Sequence, residues 1–535
     1  MKKYIRYILY LLICLCWFAC ADFINVQPEN GITYTNYFKT QKDAEALLAA
    51  LENRVRSMMT VIPSYMTNLA FSGEIVDKDD WDIFNQAFKK NPGKWQNYYS
   101  TIYQADLIID NAHRFEMKEE EIKPYILQAY FAKGVAYLYL AMNFGEVPII
   151  QWNANFGKFP QSPVGAVLDE AEKWALKAME LPKYEDMVKQ TTEKRMKQHA
   201  GKGTVAALLA HIYAWKAGVE GKSECWEKAE EYCRMIIDGE VGAYKLAANP
   251  EEVCTSVMKG NSDDAIWEIY YNAQDDGWRR DLTSNIVGFP VVESSSLNKY
   301  PRFAIYKTTV REMYEEGDRR RNAYFWGTDA DSIYLVSVNG KTTATTQKPE
   351  GVNIIHSYDN QEYEQAFLFK FRYPFYTVKD GSAPQFNGMD QYQVVWRLAE
   401  IYLLRAECRA RQGKTTAADD LNVIRRNAYG DDSHAFPNAS DIAQGLNSNL
   451  QLAIFREREK ELLLEYHRYF DIMRNGWCHL RGEDSYDYIR KELSSNYADI
   501  TNQDILDGAL YYELHSSCFE ENDLIRQNKY WNRRQ

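Results

Sequence analysis

The chain has 535 residues, is 46% hydrophobic, 26% charged and 14% aromatic, and carries a net charge of −12. That apolar fraction excludes a disordered chain, and sparse, aperiodic Gly and Pro exclude a collagen-like one. Lys2, Lys3 and Arg6 are the only charges in residues 1–19, so the rest carries −15, which excludes sequence-independent nucleic-acid binding by phosphate neutralisation.

The first twenty residues, MKKYIRYILYLLICLCWFAC, read as an export signal. A basic start leads into an apolar run from Tyr7 to Phe18, about 12 residues and too short for roughly 30 Å of hydrocarbon. No later stretch approaches about 18 uninterrupted apolar residues, so no spanning helix is expected. Ala19-Cys20 looks like the end of a bacterial lipoprotein cleavage box, with Cys20 as the lipidated residue. Trp17 and Phe18 depart from the usual box. Several acyl chains on one Cys would anchor the chain stably.

Helical periodicity then dominates. Apolar residues recur at three-and-four spacing over 42–58, 95–114, 122–143, 164–180, 200–217, 226–237, 396–411, 415–428 and 450–474. Gly145, Gly218 and Gly413 stand where helix C-terminal glycines are expected. Strand-like segments are few and short, for example 265–271 and 366–372. Two helix pairs look alike: GTVAALLAHIYAWKAG with WEKAEEYCRMII, and WRLAEIYLLRAECRARQG with TTAADDLNVIRR. Small residues that let helices approach and a Gly that turns the chain give the logic of a tetratricopeptide-like hairpin. The pairs are far apart in sequence, so intervening loops should interrupt the array.

Two stretches break this pattern. Residues 73–94, GEIVDKDDWDIFNQAFKKNPGK, place Trp81 among Asp77, Asp79, Asp80 and Asp82. Residues 240–390 are rich in Gly, Asp, Asn, Ser and aromatics, including Trp278, Trp326, Tyr373, Phe375 and Tyr376. Long loops on a rigid scaffold are where binding residues concentrate.

Signatures of catalysis are mostly absent, although among 75 carboxylates some pair could stand at glycosidase separation. The sequence contains no phosphate loop, no H-E-x-x-H and no G-x-S-x-G. Gly201 to Ala206 fits G-x-G-x-x-A, but polar EKRMKQHA precedes it where a strand is required. Cys225, Cys233, Cys254, Cys408, Cys478 and Cys518 form no C-x-x-C pair, and the eight His lack metal-ligand spacing. His211 reads as a core histidine, and Cys225 and Cys408 as buried thiols. The acidic run DKDDWD lacks the Gly and distal Glu of a calcium loop and reads as a solvated loop. No metal and no cofactor is expected. In 453–476, Glu457, Glu461 and Glu465 recur at four-residue spacing on one helix face, with Arg458, Arg468 and Arg474 as candidate partners in a structural ion-pair network.

Taken in order, these pieces resemble the SusD/RagB family of outer-membrane nutrient-binding lipoproteins. The matching stretches include WQNYYSTIYQADLIIDNA, AYFAKGVAYLYLAMNFGEVPII, DDAIWEIYY, GDRRRNAYFWG, the second helix pair, EREKELLLEYHRYFDIMRNG and the terminal LIRQNKYW. Tyr466 departs from the resemblance, standing where such proteins usually carry Gly. The resemblance implies an all-α, tetratricopeptide-like helical scaffold decorated by long irregular loops. It implies a signal over 1–19, an anchored segment over 20–40, a helical region over 41–240 and a C-terminal region over 241–535, the last two forming one unit. It also implies an outer-membrane location facing the exterior, no enzymatic activity, and a SusC-like TonB-dependent transporter as partner. The implied cargo is an oligosaccharide or, in some members, a peptide.

Sugar rings need aromatic faces for their C–H side and Asp, Asn or Arg for their hydroxyl edge. The expected binding residues are therefore Trp81 with Asp80 and Asn85, and Trp278 with Arg279 and Asp281. Tyr300, Trp326 and Tyr373 follow as further candidates. Trp95, Trp226, Trp267 and Trp396 are expected to be structural. Three readings stay open: glycan capture, peptide capture, and an assembly or gating partner of the transporter that binds no nutrient strongly.

Overall fold

The computed structural model describes residues 37–60, 68–77, 93–150, 157–189, 197–271, 286–292, 303–338, 341–362, 364–378, 384–493 and 499–533. The expected signal and Cys20 lie outside them. The longest helices are α1 (Gln41–Met59), α2 (Gln96–Asn111), α3 (Glu119–Phe144), α4 (Val164–Ala178), α5 (Lys202–Gly218) and α6 (Cys225–Ile237), followed by α7 (Leu398–Arg411), α8 (Ala417–Tyr429), α9 (Leu450–Glu461) and α10 (Arg468–Leu480). Thr40 starts α1 with a reciprocal cap: its hydroxyl accepts the Asp43 N–H at 3.2 Å, and Asp43 Oδ2 accepts the Thr40 N–H at 2.9 Å.

The two look-alike pairs are α5–α6 and α7–α8. They are not separated in space, because α6 packs directly on α7. Glu230 of α6 accepts from Arg409 at 2.9 Å and Lys414 at 2.6 Å. The array is therefore continuous where the sequence interrupts it. Gly218 also serves a different purpose from the one its position suggested. A Cβ there would sit 2.2 Å from Arg474 Cγ, so the glycine permits close approach of α10 rather than a left-handed turn. Gly145 does turn the chain, at φ +73°.

The all-α expectation holds only in part. Helices dominate, but thirteen short strands stand among the described residues and form six small sheets. The largest has β7 (Ser332–Val338) between β8 (Lys341–Thr345) and β9 (Asn353–Asp359), both antiparallel to it. β4 (Ala265–Ile269) and β13 (Gln393–Arg397) pair antiparallel and lie under α7. β-branched and aromatic residues in AIWEI and QVVWR favour extended backbone here over the helix expected from residue 396.

The main core lies between the helices and includes Trp95, Trp226, Trp267 and Trp396, all buried as expected. A satellite core forms under the loop-rich region from Leu69, Ile75, Ile286, Val287, Val291, Val310, Tyr314, Phe371 and Leu463. Cys225, Cys233, Cys254, Cys408, Cys478 and Cys518 are free thiols, all but Cys518 buried. His211 stacks on Trp396 at 5.1 Å and faces Glu400 at 3.3 Å, in keeping with a core role. Among the described residues no helix is long and apolar enough to cross a membrane.

The stretch expected as one helix over 450–474 is two. α9 ends at Glu461, and Leu464 and Tyr466 take φ of +61° and +68° before α10 begins. The break carries Glu465 away from the α9 face that holds Glu457 and Glu461. All three glutamates are buried and paired, but with other partners than expected. Arg320 reaches Glu457 at 2.7 Å and Glu461 at 3.1 Å. Arg397 reaches Glu461 at 2.9 Å and Glu465 at 2.8 Å. Lys370 adds Glu465 at 2.6 Å, and Arg425 adds Glu457 at 2.9 Å. Burial alone would raise Glu465, but Arg397 and Lys370 outweigh it and hold it down to about 2. Arg458 and Arg474 instead bind Asp471, at 2.8 and 2.7 Å, and Arg468 binds Glu492 at 2.9 Å.

Candidate ligand-binding face

Two strands of two residues each organise the loop-rich face. β1 (Val76–Asp77) pairs antiparallel with β5 (Phe303–Ala304), Val76 opposite Ala304 and Asp77 opposite Phe303. Asp80 and Trp81 follow Asp77 by three and four residues, and Tyr300 precedes Phe303 by three. Ile286 follows the segment that holds Trp278, Arg279 and Asp281, and Val292 precedes the one that holds Tyr300. Ile75, Ile286, Val287, Val291, Val292 and Ile305 all pack into the satellite core. Described residues flanking these three stretches thus pack into one core. Asp80, Trp81, Asn85, Trp278, Arg279, Asp281 and Tyr300 themselves lie outside the described residues.

This core is tied to the helical scaffold by Glu74. Its Oε1 accepts the Leu464 N–H at 2.9 Å, and its Oε2 accepts the Ser72 hydroxyl at 3.0 Å. Arg468 Nε donates to the Ser72 carbonyl at 2.9 Å. Burial pushes the Glu74 carboxyl up to about 7 despite these bonds.

Trp326 and Tyr373 are described, and they occupy different surroundings. Trp326 lies in β6 (Phe325–Trp326), opposite Phe367 of β10 (Phe367–Leu368). Its ring meets Phe289 at 5.6 Å and Phe367 at 6.1 Å, over a small cluster with Ile333 and Leu335. Packing of loop onto loop already engages it. Tyr373 is half-buried, its hydroxyl donating to the Thr255 carbonyl. The Lys259 ammonium stands 4.6 Å from its ring and pairs with Asp390 at 3.2 Å.

Tyr373, a sequence candidate, stands near other tyrosines that the sequence did not single out. Around the turn Lys259-Gly260-Asn261, Tyr392 covers Gly260, and the Tyr184 hydroxyl lies 3.3 Å from Asn261 Oδ1. Tyr392 meets Tyr270 edge-on at 5.1 Å, and the Arg56 guanidinium is 5.4 Å from the Tyr270 ring. Tyr306, two residues beyond β5, is 39% exposed. The available signal was the count of 39 tyrosines against 13 tryptophans, most of the aromatic content. Tyrosine offers both an apolar face and a hydroxyl, the pairing a sugar requires.

Beneath this rim, Lys197 donates to the Ser262 and Ala265 carbonyls, each at 2.5 Å, and Glu268 accepts the Asn261 N–H at 2.6 Å. Burial pushes Glu268 up to about 7 and lowers Lys197. Both groups hold the turn in place. Among the described residues no group of three or more His, Cys, Asp or Glu is set to hold a metal ion.

Comparison with known proteins agrees with this architecture. Residues 23–214 match a family described as starch-binding and associating with the outer membrane, and residues 244–531 match the SusD family. Among curated relatives, SusD-like protein P2 of Formosa agariphila is 23% identical over 89% of this chain and 91% of its own. SusD-like protein P25 of the same organism is 20% identical over 88% and 89%. Among solved structures, a SusD homolog from Bacteroides thetaiotaomicron superposes with a TM-score of 0.68 at 19% identity, covering 92% of this chain and 99% of that one. NanU of B. fragilis superposes with a TM-score of 0.66 at 18% identity, covering 94% and 99%. With more than half its length matched by one model and most of the rest by the other, the chain belongs to the SusD family.

Proposed function

We propose that this protein captures oligosaccharides at the outer membrane and passes them to a SusC-like TonB-dependent transporter. The observation that carries the reading is the packing into one core of described residues that flank the stretches bearing Trp81, Trp278 and Tyr300, with β1 paired to β5. Three aromatics on stretches flanked by one core suit a ligand longer than one sugar ring, each ring taking one stacking contact. Asp80, Asn85, Arg279 and Asp281 supply hydroxyl partners beside them. Tyr373 and the half-exposed Tyr270 and Tyr392 are further aromatic candidates. Trp326 contributes by fixing loop shape. Acyl chains on Cys20 hold the body at the membrane with its binding face to the exterior.

Glu457, Glu461 and Glu465 are committed to Arg and Lys partners, which gives these three a structural role.

Affinity electrophoresis of the lipid-free chain from residue 21 through gels with starch and other plant, microbial and host polysaccharides tests this reading. Retardation by at least one polysaccharide, lost in the Trp81→Ala/Trp278→Ala variant, is expected. Retardation that survives in the double variant contradicts the site. Binding of mixed oligopeptides with no polysaccharide retardation would replace the glycan by a peptide.

A further inference from the structure

A small cavity lies where α3, α5, α10 and β13 meet the turn between α9 and α10. Its walls include Tyr139, His211, Trp215, Trp396, Tyr466 and His467, with Arg458, Arg474, Glu465 and Asp471 beside them. Its volume is about 30 Å³. A water molecule needs roughly 10–15 Å³ measured this way, so two fit and a sugar ring does not.

The chemistry of the walls selects a neutral dipolar occupant. Two arginines and two carboxylates line the cavity, and each is paired: Arg458 with Asp471 and Glu400, Arg474 with Asp471 and Glu407, and Glu465 with Arg397 and Lys370. The four cations and four carboxylates of these pairs balance. One buried polar atom there has no hydrogen-bond partner among the described residues, the indole N–H of Trp215, a residue 2% exposed that can only donate. His211 and Trp215 are one helical turn apart on α5 and both line the cavity, and His211 already faces Glu400 at 3.3 Å. An unpartnered buried donor at a polar cavity of this size is a setting in which buried water is retained.

We infer that this cavity is a resident-water site holding two molecules, one of which accepts a hydrogen bond from Trp215 Nε1–H. The waters complete the bonding of the helix junction, joining α5 to α10 where no side chain bridges that N–H.

A crystal structure of the lipid-free protein at about 1.6 Å tests the inference. Two density peaks are expected in the cavity, one within 2.7–3.2 Å of Trp215 Nε1. An empty cavity, or a side chain rotated into it, overturns the proposal. In solution, the indole ¹⁵N–¹H signal of Trp215, assigned by its loss in Trp215→Phe, should show a negative water cross-relaxation peak, the mark of a long-lived neighbour. Absence of that peak while other buried-water contacts are seen overturns it equally.

Discussion

Glu74 accepts a hydrogen bond from the backbone N–H of Leu464 at 2.9 Å, across 390 residues of chain. The bond ties the stem of the Trp81 segment to a turn whose backbone is left-handed at Leu464. Burial raises this carboxyl to about 7, against an ordinary value near 4.5. The folded state therefore binds the proton more tightly than the unfolded one between those limits. The stability this contributes is full below about 4.5 and is lost as pH rises through 7, roughly 3 kcal/mol at one unit per 1.4 kcal/mol. Glu74→Gln should be about 1–3 kcal/mol more stable than wild type at pH 8 and no more stable at pH 5, by urea unfolding. Equal differences at both pH values would refute the assignment.

His467 acts with the opposite sign. Burial lowers it to about 4, with Glu400 opposing and Arg458 reinforcing the shift. The unfolded chain takes up the proton first, so stability falls as pH drops from about 6.5 to 4, by roughly 3 kcal/mol in all. His467→Gln should flatten the acid limb of the stability profile over that window. An unchanged acid limb would place the transition on other groups.

Breaking the buried network at one partner should be severe. Glu461 joins Arg320 and Arg397, so Glu461→Ala leaves both guanidiniums short of a counter-charge inside the protein. The expected cost is about 3–5 kcal/mol. Arg234→Ala, which removes an exposed cluster with Glu231, Asp238 and Glu240, should leave the denaturant midpoint close to that of wild type. Denaturant midpoints of the two variants separate the cases.

Tyr466 holds φ +68°, where a side chain is strained and Gly is not. A β-branched residue suffers most in that region. Tyr466→Val should therefore be less stable than Tyr466→Gly by about 1–2 kcal/mol, although Val retains more apolar surface. The reverse order would mean that side-chain packing into the satellite core outweighs backbone strain.

Much of the scaffold was legible because its signals are local. Helical spacing gave α1 to α8 to within three residues at each end, and the Trp residues set in apolar segments are buried. The break after Glu461 was not legible. It depends on Glu465 reaching Arg397 and Lys370, which lie 68 and 95 positions away. The same long-range pairing joins GDRRRN, VVWR, LNVIRR and EREKELLLE in space. Arg320, Arg397, Arg425 and the three glutamates of these motifs form one buried network. Tyr373 was a candidate, but Tyr184, Tyr270 and Tyr392 were not, because they are scattered in sequence and meet only where the turn at Gly260 brings their elements together.

The most direct measurement is calorimetric titration of an oligosaccharide from a retarding polysaccharide into wild type and the Trp81→Ala/Trp278→Ala variant, with thermal unfolding of both. Capture on the face above β1 and β5 predicts binding heat in wild type, none in the variant, and closely similar unfolding temperatures. Unchanged affinity in a folded double variant would contradict it and move the binding site elsewhere on the molecule.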